Sequence, residues 1–115
     1  TLKILQRLRE GGIVNIYLDA QPSDKTYTCP FLGGRRVFPS GFLKIARLSG
    51  CAIVPMLCAG DARRLRIRFD EPIRLERPDD PGEFLAANLR RLACIMESQV
   101  QDHPDQWELW TRKWI

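Results

Sequence analysis

The chain has 115 residues, 44% of them hydrophobic, with four cysteines and a formal net charge of +4. That length suits one compact domain spanning residues 1–115, able to bury roughly two thirds of the surface its unfolded form exposes. No stretch reaches the ~18 to 20 consecutive apolar residues needed to cross a bilayer, and the N-terminus lacks the basic, apolar, small-residue order of a signal peptide. The modest excess of Lys and Arg favours anionic partners in general. Nucleic acid is not among those expected, because bases and acids are interleaved and no helix-turn-helix, aromatic RNA motif or zinc-finger spacing occurs. Cys29, Cys51, Cys58 and Cys94 form no C-x-x-C pair. They are read as reduced, mostly buried thiols rather than a metal site or a disulfide scaffold.

In chain order, Leu2 to Glu10 carry apolar residues at helical spacing and stop at Gly11 and Gly12, which suit a helix C-terminus. The chain starts on Thr1 and is apolar from Leu2 onward, which suggests entry into the middle of a larger architecture. Ile13 to Leu18 is β-branched and aromatic and predicts a buried strand. Asp19 to Pro39 is rich in Pro and Gly and reads as a long irregular segment, with a short strand at Tyr27 to Leu32. Ser40 is placed to cap a helix running to about Ser49, with Gly50 as its stop.

Cys51 to Leu57 is an apolar run, and Arg63 to Phe69 alternates, Leu65, Ile67 and Phe69 on one face and Arg64, Arg66 and Arg68 on the other. Ala59 to Asp61 between them predicts a hairpin. Asp80, Pro81 and Glu83 form a helix start with the elements of a capping box. The stripe Leu85, Leu89, Leu92, Met96 carries that helix to about residue 101. The fold class is therefore α/β, a mixed sheet with flanking helices.

Several positions invite chemistry, each with a structural competitor. Asp19 follows a predicted strand, where open α/β sheets place ligands, or it is a turn former. Gly33, Gly34, Arg35 and Arg36 suit the close approach of a phosphate, because glycine removes steric hindrance and Arg offers a bidentate fork; the competitor is a Gly-Gly turn with two solvated arginines. Arg64, Arg66 and Arg68 form a stripe fit for head groups, cofactor phosphates or an acidic carrier protein, or a solvated sheet face. Trp107, Trp110 and Trp114, with Arg112 and Lys113, suit a bilayer interface or packing within a larger protein.

The order Asp19, Phe31-Leu32-Gly33, Gly41, Ile45-Ala46 and Gly50-Cys51-Ala52-Ile53-Val54-Pro55 resembles the bacterial lipid A biosynthesis (lauroyl/myristoyl) acyltransferases. In that family, part of the wider glycerolipid acyltransferase superfamily, a strand ending in Asp is followed by Phe-Phe-Gly, a Gly, Leu-Ala and Gly-Ala-x-Val-Val-Pro. The tail His103-Pro104-Asp105-Gln106-Trp107 with Arg112-Lys113-Trp114 is similar to the family's His-Pro-Glu-Gln-Trp and Arg-Arg-Trp ending. The resemblance covers nearly the whole chain and matches the C-terminal half of the family, a partial acyltransferase fold.

It implies transfer of a fatty acyl group from acyl carrier protein or coenzyme A to the hydroxyl of a lipid A-like or glycolipid acceptor. It also implies peripheral contact with the cytoplasmic side of the inner membrane and no bound cofactor. Asp19, Phe31, Gly33, Arg35 and Arg36 would border the substrate. The family's base is an upstream His-x-x-x-x-Asp/Glu motif. The sole histidine here is His103, and although Glu108 has the right spacing, the residues between them match the tail. No catalytic residue is assigned, and the chain alone is expected to be inactive. The alternatives are a non-catalytic module binding lipid or acyl groups, and a structural remnant that dimerises through the surface an absent half would cover.

Overall fold

The computed structural model describes residues 2–20 and 25–107. Its elements are α1 (Leu2–Arg9), β1 (Thr26–Phe31), β2 (Gly34–Pro39), α2 (Gly41–Ser49), β3 (Met56–Gly60), β4 (Leu65–Phe69), α3 (Pro81–Asp102) and the 3-10 turn η1 (Pro104–Gln106). The class is mixed α/β, as the periodicities indicate. Among the described residues the strands form two separate antiparallel pairs, β1 with β2 and β3 with β4.

One expectation fails at the start of the chain. The segment Ile13 to Leu18 is in no strand, and Ile13 is 91% exposed. A strand is held by partners for its N–H and C=O groups, and intrinsic β-propensity does not supply them. No described strand lies alongside this segment. Only Leu18, at its end, reaches the core.

The supposedly irregular region is instead a tight hairpin. Leu32 and Gly33 both have positive φ, +48° and +77°, as a two-residue type I′ connection requires. The turn sets the register, pairing Cys29 with Arg36, Tyr27 with Phe38 and Phe31 with Gly34. Strand alternation then turns Cys29, Phe31, Arg36 and Phe38 to one face, and all four are buried. The strand β2 escapes sequence reading because Gly34, two arginines and Pro39 lack the β-branched pattern.

Helix α3 covers that face. Phe84, Leu89, Leu92, Ala93 and Val100 point inward with Leu43 of α2 and Ile73, so the apolar stripe is wider than the predicted one, and Leu85 and Met96 flank it half-buried. Arg47 of α2 lies over the Phe84 ring, 5.0 Å from its centroid. The start of α3 follows expectation: Asp80 caps it, its Oδ2 accepting from Glu83 N at 2.8 Å, with Pro81 in the first turn. No return bond comes from the Glu83 carboxylate. Ser40 holds the N-cap position of α2 without a side-chain cap bond; its backbone serves instead, N donating to Lys25 O and O accepting from Leu43 N. Gly50 ends α2 at φ +70°, the left-handed conformation expected of a stop.

A second correction concerns the thiols. All four are free, but only Cys29 is buried, Cys51 is intermediate, and Cys58 and Cys94 are exposed. The register keeps Leu65, Ile67 and Phe69 on one face of β4 and the arginines on the other, as the alternation indicates, and all five residues of the strand are exposed, Phe69 by 67%.

Asn88 is the one side-chain amide in the deep core among the described residues, 1% exposed. Its Oδ1 accepts from Glu76 N at 2.8 Å, and its Nδ2 donates to Glu76 O and Phe84 O. It thereby pins the extended segment before α3 to the helix. Asn88→Ala strips partners from buried backbone groups and should lower unfolding free energy by about 1–3 kcal/mol, measured by urea denaturation. Asp80→Ala should cost about 1 kcal/mol through the lost cap.

Candidate functional site

Four residues singled out from the sequence meet in space. Trp107, 8% exposed, follows η1. Its Nε1 donates to Asp19 Oδ2 at 3.3 Å, and the Arg36 guanidinium lies over its ring at 5.0 Å from the centroid. Phe31 meets Trp107 edge-on at 5.5 Å and Phe38 at 5.4 Å. The cluster joins the end of the N-terminal extended segment, the β1–β2 hairpin and the tail. A buried cation over an indole face is held by the ring's quadrupole, worth up to about 2 kcal/mol when desolvated.

The cluster changes what these residues can do. Phe31 is 1% exposed and closes the core instead of standing at an open surface. Arg36 is 9% exposed and faces inward, whereas Arg35, its neighbour on the pleat, is exposed. Gly33 sits at the hairpin tip. Gly33, Arg35 and Arg36 therefore do not form a single phosphate grip, because adjacent strand residues point to opposite faces. Trp107 is a core residue and not a surface anchor; Trp110, Arg112, Lys113 and Trp114 lie outside the described residues.

A second constellation is open. Register places Arg68 opposite Leu57 and Arg66 opposite Ala59, so these four share one face of the β3–β4 hairpin. With Arg64 they line a cleft of about 590 Å³ whose other wall is Gln99, His103 and Gln106 from the end of α3 and η1. Two amides join the walls: Gly60 N donates to Gln106 Oε1 at 2.8 Å, and Gln99 Nε2 donates to Cys58 O at 3.4 Å. Gly60 is required at the hairpin end, where a Cβ would collide with Arg64 O and lie 2.9 Å from Leu65 Cα.

His103 caps α3, its backbone N donating to Gln99 O. No carboxylate is hydrogen-bonded to its ring among the described residues. No group of three or more His, Cys, Asp or Glu able to hold a metal ion occurs among them either, and no described helix is long and apolar enough to cross a membrane.

Burial raises the Cys29 thiol above its ordinary range, outweighing the opposing influence of Arg90. Less thiolate at a given pH and a closed approach both slow alkylation. Iodoacetamide at pH 8 should modify Cys58 and Cys94 first and Cys29 last, an order that mass spectrometry of partial digests would check. For the cluster, Trp107→Ala should destabilise by about 3–5 kcal/mol in denaturant titration, and Trp107→Phe by less, since the ring contacts survive and the Asp19 bond does not.

A family model described as bacterial lipid A biosynthesis acyltransferase matches residues 2–115. No curated protein and no solved structure matches the chain.

Proposed function

The chain belongs to the bacterial lipid A biosynthesis acyltransferase family, and from that premise we propose that it forms the substrate-side portion of an O-acyltransferase. The donor is a fatty acyl thioester of acyl carrier protein or coenzyme A, and the acceptor is a lipid A-like or glycolipid hydroxyl. The observation that carries this reading is the family match over residues 2–115.

The chemistry sets a requirement. The acceptor oxygen attacks the thioester carbonyl, the C–S bond breaks, and the hydroxyl proton leaves with the thiol, so a base must stand within hydrogen-bond reach of that hydroxyl. His103 is the sole imidazole in the sequence, and it lacks an orienting carboxylate among the described residues. Asp19 is engaged by the Trp107 indole. Neither offers the base-plus-orienter pair. In this reading the base comes from a His-x-x-x-x-Asp/Glu segment outside the 115 residues, while the chain supplies the packed frame and a cationic surface.

Contact with the cytoplasmic side of the inner membrane is part of the proposal. Met56, Leu65, Ile67 and Phe69 stand exposed on the outer face of the β3–β4 hairpin, the face opposite the arginines. Apolar side chains bordered by cations suit a lipid interface.

Incubated with acyl carrier protein or coenzyme A thioesters and lipid A precursors, the 115-residue chain should give no turnover above background. Specific transfer that persists in His103→Ala would refute the assignment of the base to another segment. Flotation with vesicles containing anionic lipid should show binding that weakens with salt and with Phe69→Ser. Equal recovery with neutral vesicles at all salt concentrations would rule out the electrostatic contribution.

A further inference from the structure

We infer that the cleft between the arginine face of the β3–β4 hairpin and the C-terminal end of α3 binds a phosphate-bearing ligand, the two forks of Arg64 and Arg66 taking its anionic groups. The inference rests on charge and geometry, independently of acyl transfer.

The cations are available. Arg68 is paired with Asp70 at 2.8 Å. Arg64 and Arg66 have no carboxylate within ion-pair distance among the described residues. Arg64 immediately precedes β4 and Arg66 lies within it, so their backbones are at most about 7 Å apart in extended chain, a spacing that two phosphate groups or the two ends of a diphosphate can span. A guanidinium matches phosphate with two parallel N–H donors, which an ammonium does not.

The cleft is also built, unlike a bare solvated strand. Leu57 and Ala59 of β3, paired with Arg68 and Arg66, give its lining an apolar part. Its far wall is held at a fixed distance by the Gln106 and Gln99 bonds to β3 backbone. Because the Gln106 amide accepts from Gly60 through its oxygen, its nitrogen keeps two donors directed away from that bond. The half-buried His103 lies on the same wall.

The acids at the rim are few and partly committed. Asp61 Oδ1 accepts from Arg63 N and Arg64 N at 2.8 and 3.0 Å, fixing the turn that aims Arg64. Asp105 is the remaining carboxylate of the lining. The lining thus carries three guanidiniums against two carboxylates, Asp61 and Asp105, a surplus of one positive charge before Asp70, outside the lining, is counted against Arg68. Its volume of about 590 Å³ falls within the range of small-ligand sites.

Titration of the 115-residue chain with inorganic pyrophosphate at pH 7 and low salt, followed by calorimetry or amide NMR, tests this. Saturable binding at one site is expected, with shifts at Gly60, Arg64, Arg66 and His103. Arg64→Gln with Arg66→Gln should weaken it at least tenfold. Arg64→Lys with Arg66→Lys should recover only part of the loss, since charge returns without the fork. The charge-matched control Arg9→Gln with Lys44→Gln should stay within twofold of the parent.

No saturation, or an equal loss in the control, would overturn the proposal, leaving the response to net charge. Competition then separates the sources of phosphate. Displacement of pyrophosphate by phosphatidylglycerol vesicles identifies a lipid head group, and displacement by adenosine 3′,5′-bisphosphate alone identifies a soluble phosphoester.

Discussion

The Trp107 side chain joins three parts of the chain distant in sequence. Its indole N–H reaches Asp19, 88 residues earlier, its face receives Arg36 and its edge meets Phe31. The N-terminal extended segment has no strand partner among the described residues, and this hydrogen bond and the packing of Leu18 anchor its end. An arginine on the core side of a hairpin is costly unless its charge is balanced or received by a polarisable surface, and the indole provides that surface. Arg36, Trp107 and Asp19 therefore form an interdependent set.

The same constraint divides the molecule into two differently used hairpins. The β1–β2 hairpin turns its best-packed face to α3 and carries the core with Phe31 and Phe38. The β3–β4 hairpin contributes none of the deeply buried residues and is tied to α3 and η1 through side-chain amides. Amide ties need less apolar area than a packed face and leave both faces of the hairpin open, one cationic and one apolar. Such elements open at lower free energy than the core. The lipid-facing and anion-binding roles proposed for this hairpin draw on that exposure.

Membership of the acyltransferase family gives these features a setting. The buried cluster makes a rigid frame of residues that a single-sequence reading assigns to substrate contact. Exposed arginines remain at Arg35 and, on the other hairpin, at Arg64 and Arg66. Asp19 and Arg36 meet at Trp107 within the frame, and the proposed anion-binding role falls to Arg64 and Arg66.

The sequence by itself determined the elements whose causes are local. The Asp80 cap and Pro81 start α3, the positive φ of Gly50 ends α2, and alternation on β4 separates arginines from apolar residues. Ordered short motifs across the chain also carried the family. Tertiary structure alone decided the rest, because those outcomes depend on partners distant in sequence. Ile13 to Tyr17 has strand propensity but, among the described residues, no neighbouring edge to bond. The arginine at position 36 is inward because a two-residue turn sets the register against Cys29. Trp107 is buried because Asp19, Phe31 and Arg36 converge on it, and neither periodicity nor composition encodes that convergence.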